Sequence, residues 1–275
     1  MFLVFTIVVS KPNAASMNIA QRFIENFEWN KTGKIFDGEP IRKHGNLELV
    51  FTDTLHVFAD NVDSISTDFF VFVSSHKSAA GKPSLTCHPI GNWGKAELGG
   101  KDKSLVPTSA FLLRNYLLKL EEKKQQQNLA FEVTLECTHH GPFLPKPTVF
   151  IELGSSEAQW NDKKAALALA ETVIEATSTN CGSSVLPVIG IGGTHYCSEF
   201  SKLVLRKPFA FSHVCPEYAL ANLNDEMLQQ AIDCSVEKPQ MIVIDWKGLG
   251  KEKLRILSLL EKQSLPVERV QNLLK

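Results

Sequence analysis

The sequence lacks both a long apolar run and a paired-cysteine motif. Its apolar stretches stay below the roughly 18 residues that a membrane-spanning helix needs, so we expect no membrane span. The six cysteines are scattered without a CxxC pair, which indicates reduced, mostly buried thiols in a cytoplasmic protein. The apolar opening, residues 1–9, has no basic segment before it, so it indicates a first buried strand rather than a signal peptide.

An excess of positive charge is also missing. Lysine and arginine number 29 against 30 aspartates and glutamates, which excludes a globally basic nucleic-acid binder. A phosphate-binding surface must then be a local patch, and residues 76–103 are the first candidate because they contain Lys77, Lys82, Lys95, Lys101 and Lys103. A second basic group follows at Lys202, Arg206 and Lys207. The simpler alternative is a solvated lysine surface without a ligand.

Three common catalytic signatures are absent. There is no G-x-S-x-G elbow and no H-E-x-x-H helix, so serine hydrolases and zincins find no support. The glycine run at 190–193 lacks the third glycine of the dinucleotide fingerprint. Its glycines would instead let the backbone approach a ligand closely, with His195 pointing into the site.

Alternating strand-like and helix-like periods predict an α/β protein, with a mixed, largely parallel sheet flanked by helices in a single catalytic domain over residues 1–275. Strands are predicted at 1–9, 47–51, 56–59, 69–74, 131–136, 148–153, 184–190 and 241–245. Helices are predicted at 14–27, with Ser16 as a possible cap, and at 109–124, 162–177, 218–234, 251–262 and 266–274. The glycine-rich stretch at about 74–108 is predicted to be an irregular active-site segment, because long connections are usually functional.

Histidines are concentrated in loop-like segments where predicted strands end. Five of the eight occupy four such segments rich in Gly, Pro and small polar residues, namely His76, His88, His139, His140 and His195. Catalytic groups often sit on loops of this kind, which favours a hydrolytic centre. A hydrogen-bonded structural histidine is the alternative at each position. We expect His44, His56 and His213 to be structural or surface residues.

Glu136 is the carboxylate closest in sequence to a histidine pair. The alternation of residues 131–136 places Glu136 on the polar side of a strand. If that strand continued, His140 would share this side while His139 faced the other, unless a turn at Gly141-Pro142 changed the direction. A carboxylate near two imidazoles can hold a metal or tune a general base.

Two further groups are candidate oxyanion donors. Asn92 follows a segment held by Pro89 and Gly91, which suits a donor aimed at a carbonyl. The backbone at Gly192 and Gly193 is the second candidate.

Taken together, these segments resemble the archaeal and plant type of D-aminoacyl-tRNA deacylase. The resemblance spans nearly the whole chain in order and rests on residues 75–78, His88 with Gly91 and Asn92, the motif at 136–142, Glu152 with 154–156 and Trp160, the motif at 190–196, and His213. Ser75 departs from the basic residue that the family pattern suggests before His76. The resemblance implies hydrolysis of the ester that joins a D-amino acid to the 3′-terminal ribose of tRNA. It also implies a bound zinc and a phosphorylase/hydrolase-like fold reminiscent of peptidyl-tRNA hydrolase.

The predicted mechanism is attack of water on the aminoacyl ester, activated by zinc or by an imidazole paired with Glu136. The predicted catalytic residues are His76, His88, Glu136, His139, His140 and His195. The predicted substrate-binding residues are Asn92, Gly192, Gly193, Tyr196, Lys77, Lys82 and Lys95. The predicted metal ligands are Glu136, His139, His140 and His195. We expect a monomer that binds D-aminoacyl-tRNA and no membrane. Two alternatives stay open: a metal-dependent amidase or peptidase acting on small substrates, and a non-catalytic RNA-binding module.

Overall fold

The computed structural model describes residues 3–79, 81–177 and 179–275, and within them the chain forms two main sheets flanked by helices. The larger sheet has the strand order β2-β3-β4-β1-β5-β10-β6-β9. Its strands are β1 (Phe5–Ser10), β2 (Asn30–Phe36), β3 (Glu39–His44), β4 (Leu47–Thr52), β5 (Phe69–Lys77), β6 (Ser84–His88), β9 (Glu132–Leu135) and β10 (Thr148–Ser155). Strands β4, β1, β5 and β10 run parallel to one another, as do β6 and β9, whereas β6 is antiparallel to β10.

The smaller sheet has four parallel strands in the order β12-β11-β13-β14. They are β11 (Leu186–Ile191), β12 (Phe209–Cys215), β13 (Met241–Ile244) and β14 (Val267–Arg269). A short antiparallel pair, β7 (Gly91–Asn92) and β8 (Ser104–Leu105), lies between β6 and β9 in the sequence. The predicted α/β class, with a mixed and largely parallel sheet flanked by helices, is confirmed.

Amphipathic helices cover the sheets. They are α1 (Ala14–Asn26), α2 (Ala110–Gln126), α3 (Glu157–Trp160), α4 (Lys163–Ala176), α5 (Ser198–Arg206), α6 (Asp225–Asp233), α7 (Lys253–Leu260) and α8 (Val270–Leu273). Single turns of 3-10 helix occur at His56–Phe58, Asp60–Ser64, Glu217–Asn222 and Lys247–Glu252. One apolar core joins both sheets, since Ile7 and Val71 of the large sheet belong to the same buried cluster as Val188 and Val214 of the small one.

No helix in the described part of the chain combines the length and apolar character that a bilayer crossing requires.

Several element boundaries differ from the sequence predictions. Residues 1 and 2 of the first predicted strand lie outside the described residues. Helix α1 is capped by Asn13, whose side-chain oxygen accepts a hydrogen bond from the Ser16 amide, whereas the Ser16 hydroxyl donates to Val73 O. The predicted strand at 56–59 is a 3-10 turn.

The segment at 74–108 is more regular than predicted. It contains the end of β5, all of β6, and the β7–β8 pair. Strand β6 forms because it fills the gap between β10 and β9, a long-range pairing that local composition does not reveal. Near the C-terminus, the predicted helix at 218–234 is divided into a 3-10 turn and α6, and the one at 266–274 into β14 and α8. The hairpin of β2 and β3, helix α5 and strand β12 were not predicted.

Candidate active site

The predicted site residues meet where the two sheets adjoin. The segment after β9 connects them, because the Glu136 amide donates to Cys87 O of β6 and the Thr138 amide donates to Val214 O of β12. Strands β5 and β10 are parallel with Ser74 opposite Glu152, so their carboxyl ends bring His76 and Glu152 to the same edge. His88 ends β6 on the neighbouring strand.

Two buried carboxylates form the centre of the site. Glu136 is 1% exposed and Glu152 is 2% exposed. His76 Nδ1 lies 3.1 Å from Glu136 Oε1 and 3.6 Å from Glu152 Oε2, and His195 Nε2 lies 2.8 Å from Glu136 Oε2. Glu152 also accepts a 2.6 Å hydrogen bond from Ser74 Oγ. Both carboxylates are therefore surrounded by groups that favour their charged form.

Two of the imidazoles are cationic at neutral pH. Burial would lower the pKa of His76, but hydrogen bonding to Glu136 and Glu152 outweighs it and raises that pKa to about 11. Burial likewise opposes protonation of His195, while Cys137 and Glu136 raise the His195 pKa to about 10. Burial would raise the pKa of Glu136, yet the hydrogen bonds from His195 and His76 hold it well below its usual range. The result is a compact cluster of paired charges in a low-dielectric setting.

A second group of imidazoles shares one orientation. The Nδ1 atoms of His88, His139 and His140 lie 3.0, 2.8 and 2.6 Å from the backbone carbonyls of Pro89, Cys137 and Gly141. A carbonyl can only accept, so each Nδ1 carries the proton and each Nε2 keeps its lone pair. Burial lowers the pKa of His139 to about 3 and the pKa of His140 well below its usual value.

These three histidines have the chemistry of a metal site. One ligand atom from each lies within 4.8 Å of the others. His88 Nε2 is fully buried and has no hydrogen-bond partner among the described residues, which leaves a buried acceptor that a cation would satisfy. Nδ1 donation to a backbone carbonyl is the arrangement that orients metal-binding histidines in general. His195 lies outside this group, since its Nε2 faces Glu136.

A cavity of about 520 Å³ opens onto the cluster, and we call it the catalytic cavity. His139, His140 and His195 all line it, so both members of the histidine pair reach one pocket, contrary to an unbent strand. The strand ends at Leu135, and the left-handed backbone at His140, with φ of 47°, turns the chain directly after His139. His56, expected to be structural or on the surface, also lines this cavity and its Nδ1 is 3.1 Å from Asn13 Nδ2. His213 is fully buried in the core.

The predicted oxyanion donors are already engaged within the protein. The Asn92 side-chain amide donates to Gly99 O and Lys101 O. The amides of Gly192 and Gly193 donate to Cys215 O and Gly248 O. These contacts hold adjacent loops in place, and the donor role of these residues stays a prediction.

The other predicted substrate residues have separate surroundings. Tyr196 Oη is 2.9 Å from His76 Nε2, so it orients the His76 imidazole. Lys77 lines the catalytic cavity, and Lys95 lines a neighbouring cavity that also contains His139. Lys82 is exposed and lies 4.0 Å from the Glu132 carboxylate, so the three lysines do not form one continuous patch.

Sequence reasoning did not select three residues of the site. Glu152 lies in an otherwise apolar strand, and a lone carboxylate in such a strand is a signal that was available. Cys137 and Tyr218 gave no local signal. They meet at His195, whose Nδ1 is 3.5 Å from Cys137 Sγ and 3.4 Å from Tyr218 Oη.

The neutral imidazoles predict acid sensitivity once metal is removed. On unfolding, His139, His140 and His213 regain pKa values near 6.5, whereas burial keeps their folded pKa values lower, at about 3 for His139 and about 4 for His213. The unfolded chain therefore binds more protons below about pH 6.5. The free energy of unfolding of the chelator-treated protein should fall by about 1.4 kcal/mol per proton for each pH unit below that value. Urea denaturation at pH 7, 6 and 5 measures it, and equal stabilities would contradict neutral buried imidazoles.

Comparison with known proteins decides the family. The model of the family described as D-aminoacyl-tRNA deacylase matches residues 63–268. A protein named D-aminoacyl-tRNA deacylase from Thermococcus onnurineus is 36% identical over 265 residues, covering 94% of this chain and 96% of that protein. The chain belongs to the D-aminoacyl-tRNA deacylase family. Two further proteins of the same name match over a similar share of the chain. The one from Pyrococcus abyssi is 36% identical and covers 97% of this chain and 99% of that protein. The one from Cenarchaeum symbiosum is 37% identical and covers 92% of this chain and 95% of that protein.

A solved structure supports the fold in the same way. The crystal structure described as a conserved protein of unknown function superposes with a TM-score of 0.90 at 28% identity, covering 99% of this chain and 97% of that one. The resemblance predicted from the ordered motifs is confirmed, and with it the prediction of an enzyme of this family. The alternative of a non-catalytic RNA-binding module is set aside.

Proposed function

We propose that this chain hydrolyses the ester between a D-amino acid and the 3′-terminal ribose of tRNA, in the cavity lined by Glu152 and the five histidines His56, His76, His139, His140 and His195. The observation that carries the proposal is the pairing of two buried carboxylates with both cationic and neutral imidazoles at one cavity. Ester hydrolysis needs a group that activates water and a positive group near the developing oxyanion. Both kinds of group are present.

His195 is suited to stabilise the oxyanion. It is cationic, it lines the cavity, and Glu136 holds its Nε2 edge. A cation placed in advance where negative charge develops lowers the barrier without reorganisation. Glu136 acts through His195 and His76, because its own strongly lowered pKa makes it a poor proton acceptor.

We propose that His88, His139 and His140 hold a zinc ion through their Nε2 atoms. A zinc ion bound there would lower the pKa of a coordinated water to about 7 and so supply hydroxide at neutral pH. His139 is the most exposed of the three and lines the catalytic cavity. The set replaces His195 and Glu136 of the predicted ligand set by His88, and keeps those two residues for charge stabilisation.

Incubation of the purified protein with D- and L-aminoacyl-tRNA, with release of the amino acid as the readout, tests the function. Faster release from the D-aminoacyl form is expected. Equal release from both forms would contradict the preference. Release from small amides or esters at the same rate as from tRNA would favour the alternative of an amidase or peptidase.

We propose that Lys77 and Lys95 contact the tRNA backbone, since each lines a cavity at the site. Phosphate contacts release counterions, so KM for aminoacyl-tRNA should rise steeply with salt while the rate at saturation changes little. Reversing both lysines to Glu should raise KM at low salt and flatten the salt dependence. Lys34→Glu, exposed on the β2–β3 hairpin, is the single-charge control. An unchanged salt slope in the double variant would move the tRNA to another surface, with Lys202, Arg206 and Lys207 next to test.

A cytoplasmic location and a monomeric state are further proposals. All six cysteines are free thiols, as expected in a reducing compartment. Light scattering of the purified protein measures the oligomeric state.

A further inference from the structure

A second cavity of about 710 Å³ adjoins the catalytic cavity, and His195 lines both. Its walls carry two carboxylates and one lysine, so we call it the acidic cavity. Besides His195 it is lined by Gly193, Thr194, Glu217, Tyr218, Ala221, Leu249, Lys251 and Glu252. No step of the mechanism above uses this space.

Of the two carboxylates of the acidic cavity, one is paired with another side chain and one is not. Glu252 accepts a 2.7 Å hydrogen bond from Arg255 Nε, so its charge is already balanced. The Glu217 carboxylate has neither a hydrogen bond nor an ion pair within the three described stretches of the chain. It lies against Gly250, where a β-carbon would collide with its Oε1, so the missing side chain leaves the space that the carboxylate occupies.

Tyr218 forms the boundary between this cavity and the catalytic cluster. Its hydroxyl is 3.2 Å from Cys137 Sγ and 3.4 Å from His195 Nδ1, yet the residue as a whole is 64% exposed. The anchored hydroxyl holds an exposed ring beside Glu217. A carboxylate beside an aromatic face is a favourable site for an ammonium group.

The two cavities carry different charged groups. The catalytic cavity contains Lys77 and His76, and its carboxylate, Glu152, is held by Ser74 and His76. The acidic cavity presents the Glu217 carboxylate, which has no partner among the described residues, with Lys251 on the same wall. An aminoacyl ester is also divided by charge, because the nucleotide side carries phosphates and the acyl side carries an α-ammonium. The bond to be broken lies between these halves, as His195 lies between the cavities.

We propose that the acidic cavity binds the aminoacyl group, with its α-ammonium between Glu217 and Tyr218 and its side chain against Leu249 and Ala221, while the terminal nucleotide lies on the Lys77 side. This assignment rests on the proposed function. It makes Glu217 a substrate-binding residue for the amino group alone.

The test compares Glu217→Gln with two substrates that differ only in the charge of the amino group. For D-aminoacyl-tRNA with a free α-ammonium, KM should rise about fivefold, the scale of one exposed ion pair. For N-acetyl-D-aminoacyl-tRNA, which has no charge at that nitrogen, wild type and variant should have the same KM. Inhibition by deacylated tRNA, which carries no amino acid, should also be unchanged, because that ligand does not enter the acidic cavity. Glu226→Gln, an exposed carboxylate on α6 outside the cavity, is the matched control.

Each other outcome has a definite meaning. An equal rise in KM for both substrates, or weaker inhibition by deacylated tRNA, would show that the acidic cavity holds the nucleotide. Either result would overturn the assignment. An unchanged KM for all ligands, with a fully active wild type, would also overturn it while leaving the proposed function intact. A wild type that releases no amino acid from any aminoacyl-tRNA would instead overturn the proposed function and the assignment together.

Discussion

Glu136→Gln is expected to reduce the single-turnover rate of D-aminoacyl-tRNA hydrolysis by at least about a hundredfold. The glutamine keeps the size of the side chain but removes the negative charge that lies 2.8 Å from His195 Nε2 and 3.1 Å from His76 Nδ1. Without that charge, burial dominates and the pKa values of both imidazoles fall. His195 then loses the proton and the positive charge with which it stabilises the oxyanion.

Glu132→Gln is the matched control for this change. Glu132 begins β9, the strand that ends just before Glu136, but it is exposed and faces Lys82 rather than the cluster. Its substitution should leave the rate unchanged. Circular dichroism and the melting temperature establish that Glu136→Gln still folds, and near-normal turnover by a folded variant would remove Glu136 from the mechanism.

The convergence of the histidines on one site was predictable because their segments have the composition of loops at strand ends. His76 lies near the end of β5 and His88 ends β6, while Glu136 follows β9, and each segment carried Gly, Pro or small polar residues that mark a strand end. Separate motifs at strand ends, in order along the chain, predicted one site, although β6 and β9 run antiparallel to β5 and β10 and this opposite direction was not predicted. The ordered set also predicted the family.

The pairing of residues within the site was not predictable from local periodicity. Period-two alternation places Glu136 with His140, but the strand stops at Leu135 and the backbone turns at His140. Glu136 instead pairs with His76 and His195, which are distant in sequence. The His76 contact depends on the strand order within the large sheet, and the His195 contact depends on how the small sheet docks against it. Neither propensity nor spacing encodes these arrangements.

Competing acceptors within the protein explain why the predicted oxyanion donors form hydrogen bonds to backbone carbonyls. Asn92 and the glycines at 192 and 193 are the right residue types for donors, but adjacent loops offer carbonyl acceptors that the sequence does not reveal. Buried donors are nearly always satisfied within the protein. Residue type therefore predicted where the loops pack tightly, and in the proposed mechanism His195, paired with Glu136, takes the role predicted for those donors.

Removal of metal is expected to abolish hydrolysis, and added zinc should restore it. One ring nitrogen from each of the three histidines converges on the same point, and His88 Nε2 is buried without a hydrogen-bond partner in the described part of the chain. A buried acceptor left unsatisfied costs about 1–3 kcal/mol, so the geometry is stabilised by a cation. His140→Ala should therefore lower the zinc content measured by elemental analysis and reduce hydrolysis by at least about a hundredfold.

His44→Ala provides the comparison that separates ligation from the general loss of an imidazole. His44 also has its Nδ1 near a backbone carbonyl, at 2.8 Å from Glu28 O, but it lies at the end of β3, away from the histidine group. Its substitution should keep both zinc and activity. Because zinc content is measured independently of turnover, a folded His140→Ala protein that keeps a full equivalent of zinc would exclude His140 as a ligand. Full activity in wild-type protein shown to contain no metal would exclude zinc from the reaction and leave the neutral imidazole of His139, whose Nε2 lies 3.6 Å from Glu136 Oε2, as the group that activates water.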